Sequence, residues 1–285
     1  MKNENSQNTS ENKPILVLGA SGKTGRRVIS GLKNLGQSVR IGSRKATPAF
    51  DWNHEAGWDA CLAGVDSVYV NYVPDLAVVG ATDSISAFIA KAKSHGVRKL
   101  VLLSGRGEAE AQACERLVQE SGLAWTIVRA SWFNQNFSEG AFIDMVRGNR
   151  ISLPAGDIPE PFVDVNDIAE VAVAALTDSR HDGEVYEVTG PRAMTFEEVA
   201  KELSSALGRE IVYRKIPHDA FVSAVAESGA PKDVVWIMDY LFATVLDGRN
   251  AHVTDGVQRA LGRPAKDFSD YAREVAATGA WKEGA

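Results

Sequence analysis

Hydrophobic residues fall into short unbroken runs, separated by longer stretches in which they recur every three or four positions. Residues 15–18, Ile-Leu-Val-Leu, form one such run, with glycines directly after it. A strand apolar at every position is one covered on both faces, as in a parallel sheet. Residues 24–35 then place Val28, Ile29 and Leu32 on one face and Gly36 just beyond, which predicts a helix and its stop. Strands are predicted at 38–41, 67–73, 99–103 and 125–128. Helices are predicted at 82–94, closed by His95-Gly96, and at 109–120. Strands alternating with helices give right-handed βαβ units and an α/β doubly wound parallel sheet.

After Asn149 the alternation loosens. A helix is predicted at 166–177 and a strand at 185–188. Thr195 stands three residues before Glu198, a capping box that opens a helix running to Leu207, with Gly208 as its stop. Residues 211–215 read as one more strand, and helices fill the rest. The expected division is a disordered polar tail at 1–13, a first unit at 14–150, and a smaller α/β unit at 151–285 partly interleaved with the first sheet.

Composition adds limits. Of 285 residues, 45% are hydrophobic and 24% charged, ordinary values for a folded globular chain. The net charge of -6 argues against general nucleic-acid binding. Cys61 and Cys114 stand far apart, and the five histidines form no metal-ligand spacing, so no metal site is expected. No run approaches the roughly 18 apolar residues of a membrane span. The tail, rich in Asn, Ser and Glu, has no apolar signal core, so a reducing cytoplasm is the expected location. Homo-oligomerisation stays open.

The segment Gly19-Ala20-Ser21-Gly22-Lys23-Thr24-Gly25 lies between the first strand and the first helix. Glycines there allow a tight turn and a close backbone approach, and free N–H groups at a helix start attract an anion. The diphosphate of a dinucleotide is the natural ligand, which makes the first unit a Rossmann-type NAD(P)-binding domain. The spacing is G-x-x-G-x-x-G, and the Gly-Lys-Ser/Thr ending of a P-loop is absent. The second strand bears on which coenzyme binds. An NAD site usually places Asp or Glu about 20 residues beyond the glycines, on the ribose 2′-hydroxyl. Here Ile41 leads into Gly42-Ser43-Arg44-Lys45, with no carboxylate. Arg44 and Ser43 can hold a 2′-phosphate, so NADP(H) is expected over NAD(H). The other reading of this stretch is a solvated basic turn.

Further candidates sit where ligands of such sheets bind, at the carboxyl ends of strands. Asn71 and Tyr72 either flank the nicotinamide or pack locally. Ser104 either bonds the ribose or substrate, or closes its strand. Tyr72, Trp132, Phe133, Asn136 and Phe162 are candidates for an apolar substrate pocket, the alternative being core packing. Asp167 reads as a helix-start residue rather than half of an acid/base pair with Asp164.

Taken together, Leu16-Val17-Leu18-Gly19-Ala20-Ser21-Gly22-Lys23-Thr24-Gly25, the stretch Ser121-Gly122-Leu123-Ala124-Trp125-Thr126-Ile127-Val128-Arg129, and Pro161-Phe162-Val163-Asp164-Val165-Asn166-Asp167 resemble the NmrA-like, atypical short-chain dehydrogenase/reductase family. Phe133, Asn136 and Gly248-Arg249-Asn250 agree with it. Gly42-Ser43-Arg44 and Phe50-Asp51-Trp52 look most like its ergot-alkaloid-dehydrogenase branch, and the NADPH:quinone oxidoreductase branch is also similar. The resemblance implies NADPH-dependent reduction of a small organic acceptor. Most short-chain dehydrogenases use a Tyr-x-x-x-Lys pair as acid, yet residues 105–115 contain neither Tyr nor Lys. Carbonyl reduction needs a proton at the developing alkoxide. Iminium and quinone acceptors need less help, so they are the expected substrate class. The alternative is a non-catalytic NADP(H) sensor acting through a protein partner. No proton donor is identified from the sequence.

Overall fold

The computed structural model describes residues 13–282, so the expected disordered tail lies, except for Lys13, outside the described residues. The first half runs β1 (Ile15–Leu18), α1 (Lys23–Asn34), β2 (Val39–Gly42), α2 (Trp58–Leu62), β3 (Ser67–Val70), α3 (Ala81–Ser94), β4 (Lys99–Gly105), α4 (Ala109–Gln119) and β5 (Ala124–Ala130). The second half adds α5 (Ile143–Arg147), β6 (Arg150–Leu153), α6 (Val165–Thr177), β7 (Glu184–Val188), α7 (Phe196–Leu207) and β8 (Val212–Lys215). It closes with α8 (His218–Glu227), α9 (Lys232–Tyr240), α10 (Gly256–Leu261) and α11 (Phe268–Thr278).

Six strands form one parallel sheet in the order β2-β1-β3-β4-β5-β7. The chain reverses its direction of travel between β1 and β3, which opens the crevice where ligands of doubly wound sheets bind. Side chains alternate along each strand. Leu16 and Leu18 therefore enter the core under α3 and α4, while Ile15 and Val17 enter the opposite core under α1 and α6. This is why the β1 run is apolar at every position. Burying a Leu or Val completely contributes roughly 1.5–3 kcal/mol.

β7 pairs with β5, and α6 packs in the second core, so part of the chain beyond residue 150 completes the first sheet. A third core, rich in aromatic rings, gathers Phe137, Phe142, Phe162, Phe196 and Phe268. Its small sheet pairs β6 with β8 in parallel. β6 was not expected from the sequence. It is four residues long, with only Ile151 and Leu153 turned inward, too short a pattern to stand out. β3 stops at Val70 rather than 73, because its pairing with β4 ends at Val70 opposite Leu102. The helix cap at α6 is Asp164, which accepts from the Asn166 N–H at 2.7 Å. Asp167 sits in the first turn and accepts from the Lys266 N–H at 2.7 Å. The Thr195–Glu198 capping box is present, and Gly208 ends α7 with φ 63°. No helix among the described residues is long and apolar enough to cross a membrane.

Candidate cofactor and substrate site

The loop after β1 is shaped by two close approaches. Gly19 has φ +63°, and a Cβ there would lie 2.6 Å from Asn71 Nδ2. Gly25 lies flat on the Gly19 carbonyl, where a Cβ would overlap the oxygen. The Gly22 N–H closes the turn onto the Gly19 carbonyl at 2.8 Å. α1 then starts with no side-chain cap and no acidic residue in its first turn. The amides of Lys23, Thr24 and Gly25 have no intrahelical acceptor, and the helix dipole adds positive potential. Ser21 is exposed beside them. Asn71 follows β3, next to β1 in the sheet, and its Nδ2 donates to Thr24 Oγ1 at 3.3 Å.

The end of β2 is held beside this loop, where the Ala20 N–H donates to the Gly42 carbonyl at 3.4 Å. The Ser43 carbonyl accepts from the amides of Ala46 and Phe50 at 3.1 and 3.0 Å. That folds the turn and leaves Arg44 and Lys45 exposed. Among the described residues neither has an ion-pair or hydrogen-bond partner for its side chain. Nearby Arg40, by contrast, is engaged by the carbonyls of Cys61 and Ala63. An uncapped helix start with a glycine cradle, beside a basic turn without a carboxylate, fits a diphosphate and a second phosphate on the adenosine sugar.

A cavity of about 240 Å³ opens at the carboxyl ends of β3, β4 and β5. Trp132, Phe133 and Phe142 wall it, and Asn136 adds an amide. Trp132 and Phe142 lie nearly parallel, 16° apart with centroids at 6.4 Å. Ile237 and Met238 of α9 cover it from the second unit. Its polar end carries Lys23, Asp75, Arg106 and Glu108. A larger groove of about 650 Å³ runs between α1 and α6, on the flank of the sheet and away from the strand ends.

Lys23 joins the two regions, starting α1 and reaching the cavity with Nζ against Gly140. Burial lowers its pKa, opposed by the carboxylate of Glu139. Glu139 is itself paired with Arg26 and Arg27. Arg106 is 3% exposed, and its guanidinium is filled by Ser131 Oγ, the carbonyls of Asn250 and His252, and Glu187. Glu108 is 5% exposed, and its carboxyl folds back over Gly105.

Three anticipated residues lie outside this cavity. Ser104 Oγ donates to Glu115 Oε1 at 2.6 Å, and Arg129 Nε holds the same oxygen at 2.9 Å. Tyr72 packs on Trp52 at a centroid distance of 4.8 Å, with its hydroxyl 3.5 Å from Ser84 Oγ. Phe162 lies in the aromatic core, 5.2 Å from Phe196 and 5.8 Å from Phe137. None of the three lines the cavity, whereas Trp132, Phe133 and Asn136 do. Sequence reasoning overlooked Asp75 and Glu108. Each follows a strand end, the position at which ligands gather, but that β3 and β4 are neighbours is not visible in the chain.

Residues 109–258 match the NmrA-like family, and residues 19–179 match an NAD(P)H-binding family. The chain is 34% identical over 286 residues to the NAD(P)H azoreductase of Xenophilus azovorans, covering 92% of this chain and 98% of that protein. It is 30% identical over 275 residues to the agroclavine dehydrogenase of Claviceps fusiformis, covering 90% and 95%. The solved NADPH-dependent quinone oxidoreductase of Escherichia coli, complexed with NADPH, has the same fold. Its TM-score is 0.76 at 20% identity, over 92% of this chain and 99% of that one. Since the matched segments run through both the glycine loop and the cavity, the whole site falls inside the similarity, and the chain belongs to the NmrA-like family as an NADP(H)-binding oxidoreductase.

Proposed function

We propose that this oxidoreductase reduces a flat, conjugated or cationic organic acceptor of quinone or iminium type in the cavity at the strand ends. The observation that carries the reading is the aromatic wall of Trp132, Phe133 and Phe142 standing next to the start of α1. A ring-sized, mostly apolar space with few polar groups suits a planar acceptor. α4 contains neither Tyr nor Lys, which favours acceptors that need little help from an acid. Relatives named as an NAD(P)H azoreductase and an agroclavine dehydrogenase support reduction of a small organic acceptor.

In this reading, NADPH when bound supplies the hydride. Gly19, Ser21, Gly22, Thr24 and Gly25 hold its diphosphate, and Ser43 and Arg44 hold its 2′-phosphate. Asn71 braces the loop from β3. Trp132, Phe133 and Asn136 orient the acceptor, and holding it against the coenzyme supplies much of the rate enhancement. Tyr72, Ser104 and Phe162 support these residues from behind. Residues 151–285 carry the substrate side through α9, except for α6, β7 and α10, which stay with the coenzyme sheet.

The test is single-turnover oxidation of NADPH with a panel of quinones, iminium compounds and simple ketones. Faster turnover of the first two classes is expected. A preference for ketones would overturn the substrate class, and stoichiometric binding without consumption by any acceptor would favour a sensor.

A further inference from the structure

We propose that the Glu108 carboxyl carries a proton, held against Asp75, and gives it to the oxygen or nitrogen of a neutral acceptor as that acceptor is reduced. The inference rests on the substrate reading above and supplies the acid which that reading lacks.

The two carboxyls meet because of the sheet order. β3 and β4 are parallel neighbours, with Val70 opposite Leu102. Asp75 lies in the loop leaving β3, and Glu108 lies in the loop leaving β4, where it is the residue before α4. Both line the cavity. Glu108 Oε2 is buried, and no N–H or O–H group among the described residues reaches it. The Asp75 carboxyl lines the same end of the cavity, and its charge acts on Glu108. Two ionised carboxylates cannot satisfy each other, whereas one proton between them turns repulsion into a hydrogen bond. Asp75 Oδ1 already accepts from the Ala77 N–H at 2.9 Å, which favours charge on Asp75 and leaves the proton to Glu108.

The surroundings push the same way. Burial first, and then the charge of Asp75, raise Glu108 well above the usual carboxylate range; Glu110 and Glu115 add to this. Burial also raises Asp75. The cations on the cavity wall do not cancel the effect. Arg106 is engaged by Glu187, Ser131 and the segment around Asn250. Lys23 is itself shifted down by burial. Cys114, packed behind Asp75, is pushed up to about 12 and stays a neutral thiol.

The chemistry balances without another reactant. A neutral quinone or azo acceptor takes a hydride from NADPH, and an electron pair moves onto its oxygen or nitrogen. That atom takes the proton as the O–H bond of Glu108 breaks. Glu108 is left as a carboxylate, which recovers a proton from water by way of the half-buried Asp75. An iminium acceptor becomes a neutral amine on hydride addition alone and needs no proton, so the two acceptor classes respond differently to loss of the acid.

Infrared spectra, relative turnover, coenzyme affinity and a pH profile test this. The infrared difference between native protein and Glu108→Gln, both ligand-free at neutral pH, is expected to show the carbonyl stretch of one un-ionised carboxyl, with the contribution of Glu160 common to both and cancelled. Turnover of a quinone and of a preformed iminium is then compared. Glu108→Gln is expected to lower the quinone rate relative to the iminium rate by about 10²-fold, the usual worth of a positioned acid. Its NADPH affinity should stay within about twofold of the native value, because Glu108 is not part of the phosphate cradle. Asp75→Asn removes a like charge, so the alkaline limb of the quinone pH profile should move to lower pH. Absence of the infrared band, or equal slowing of both acceptors in Glu108→Gln, would overturn the proposal. If the native protein reduces neither acceptor, the substrate reading falls, while the infrared band still decides whether the proton is there.

Discussion

Arg106 and Asn250 are bonded to each other twice. Arg106 Nη1 donates to the Asn250 carbonyl at 3.1 Å, and Asn250 Nδ2 donates to the Arg106 carbonyl at 3.1 Å. Both residues are buried. The exchange fastens the segment before α10 to the chain just beyond β4, at the polar end of the cavity. Asn250→Ala leaves the Arg106 carbonyl without its donor and opens space beside Gly107. A loss of about 1–3 kcal/mol is expected from the orphaned group. Urea denaturation should show a lower midpoint at unchanged slope. A variant as stable as the native protein would mean that the exchange contributes nothing.

Arg44 is exposed and, among the described residues, has no carboxylate partner, so replacing it should cost the fold almost nothing. Arg44→Ala is expected to weaken NADPH binding roughly 10- to 100-fold, the loss of a charge-assisted bond to a phosphate. NADH binding should change by less than about threefold, because no 2′-phosphate is involved. Calorimetric titration with both coenzymes gives the two constants. Equal loss for both would place Arg44 outside the 2′-phosphate site.

Ser104, Glu115 and Arg129 form a buried chain that can be taken apart. Glu115 is 2% exposed, and Arg129 reaches it at 2.5 and 2.9 Å. Arg129→Met strands that carboxylate, at an expected cost of about 3–5 kcal/mol. Ser104→Ala leaves the arginine in place and should cost about 1 kcal/mol. Thermal unfolding of the two variants tests the ordering. A tenfold loss of NADPH affinity in Ser104→Ala would instead assign the hydroxyl to the coenzyme.

Glu160 predicts a dependence of stability on pH. It is 1% exposed, and burial raises its pKa to about 7, against the pull of Arg106 and hydrogen bonds at Trp132 and Ser131. The folded state thus binds this proton more tightly than the unfolded chain. Its stabilising share is complete below about 4.5, the unfolded value, and is lost as pH rises through about 7. Glu160→Gln removes that loss. The variant should gain on the order of 1–3 kcal/mol relative to the native protein between pH 5 and pH 8. Urea midpoints across that range report it, and a pH-independent difference would refute it.

The parts of this fold that were legible in advance are those settled within a few residues. Gly19 to Gly25 read as a tight glycine turn opening a helix because both are set by backbone geometry within a few residues. Thr195 and Glu198 declared their helix because the capping bonds span three residues. Arg44 stood out because a carboxylate was absent from one known position. Gly248-Arg249-Asn250 was noticed, but its bond to Arg106 was not, since the partner lies on the other side of the chain's course.

Side-chain type and spacing were enough for the strand–helix alternation, the glycine cradle and the basic turn after β2, because a strand's faces and a helix's first turn follow from backbone geometry over one short stretch. Strand order came from packing across the molecule. That order set Asp75 against Glu108, turned Ser104 to Glu115, and sent Phe162 into the aromatic core while Trp132 took the cavity wall. Each of these places depends on which distant strand or helix arrives alongside, and free energy summed over the whole core, not any local pattern, selects that neighbour.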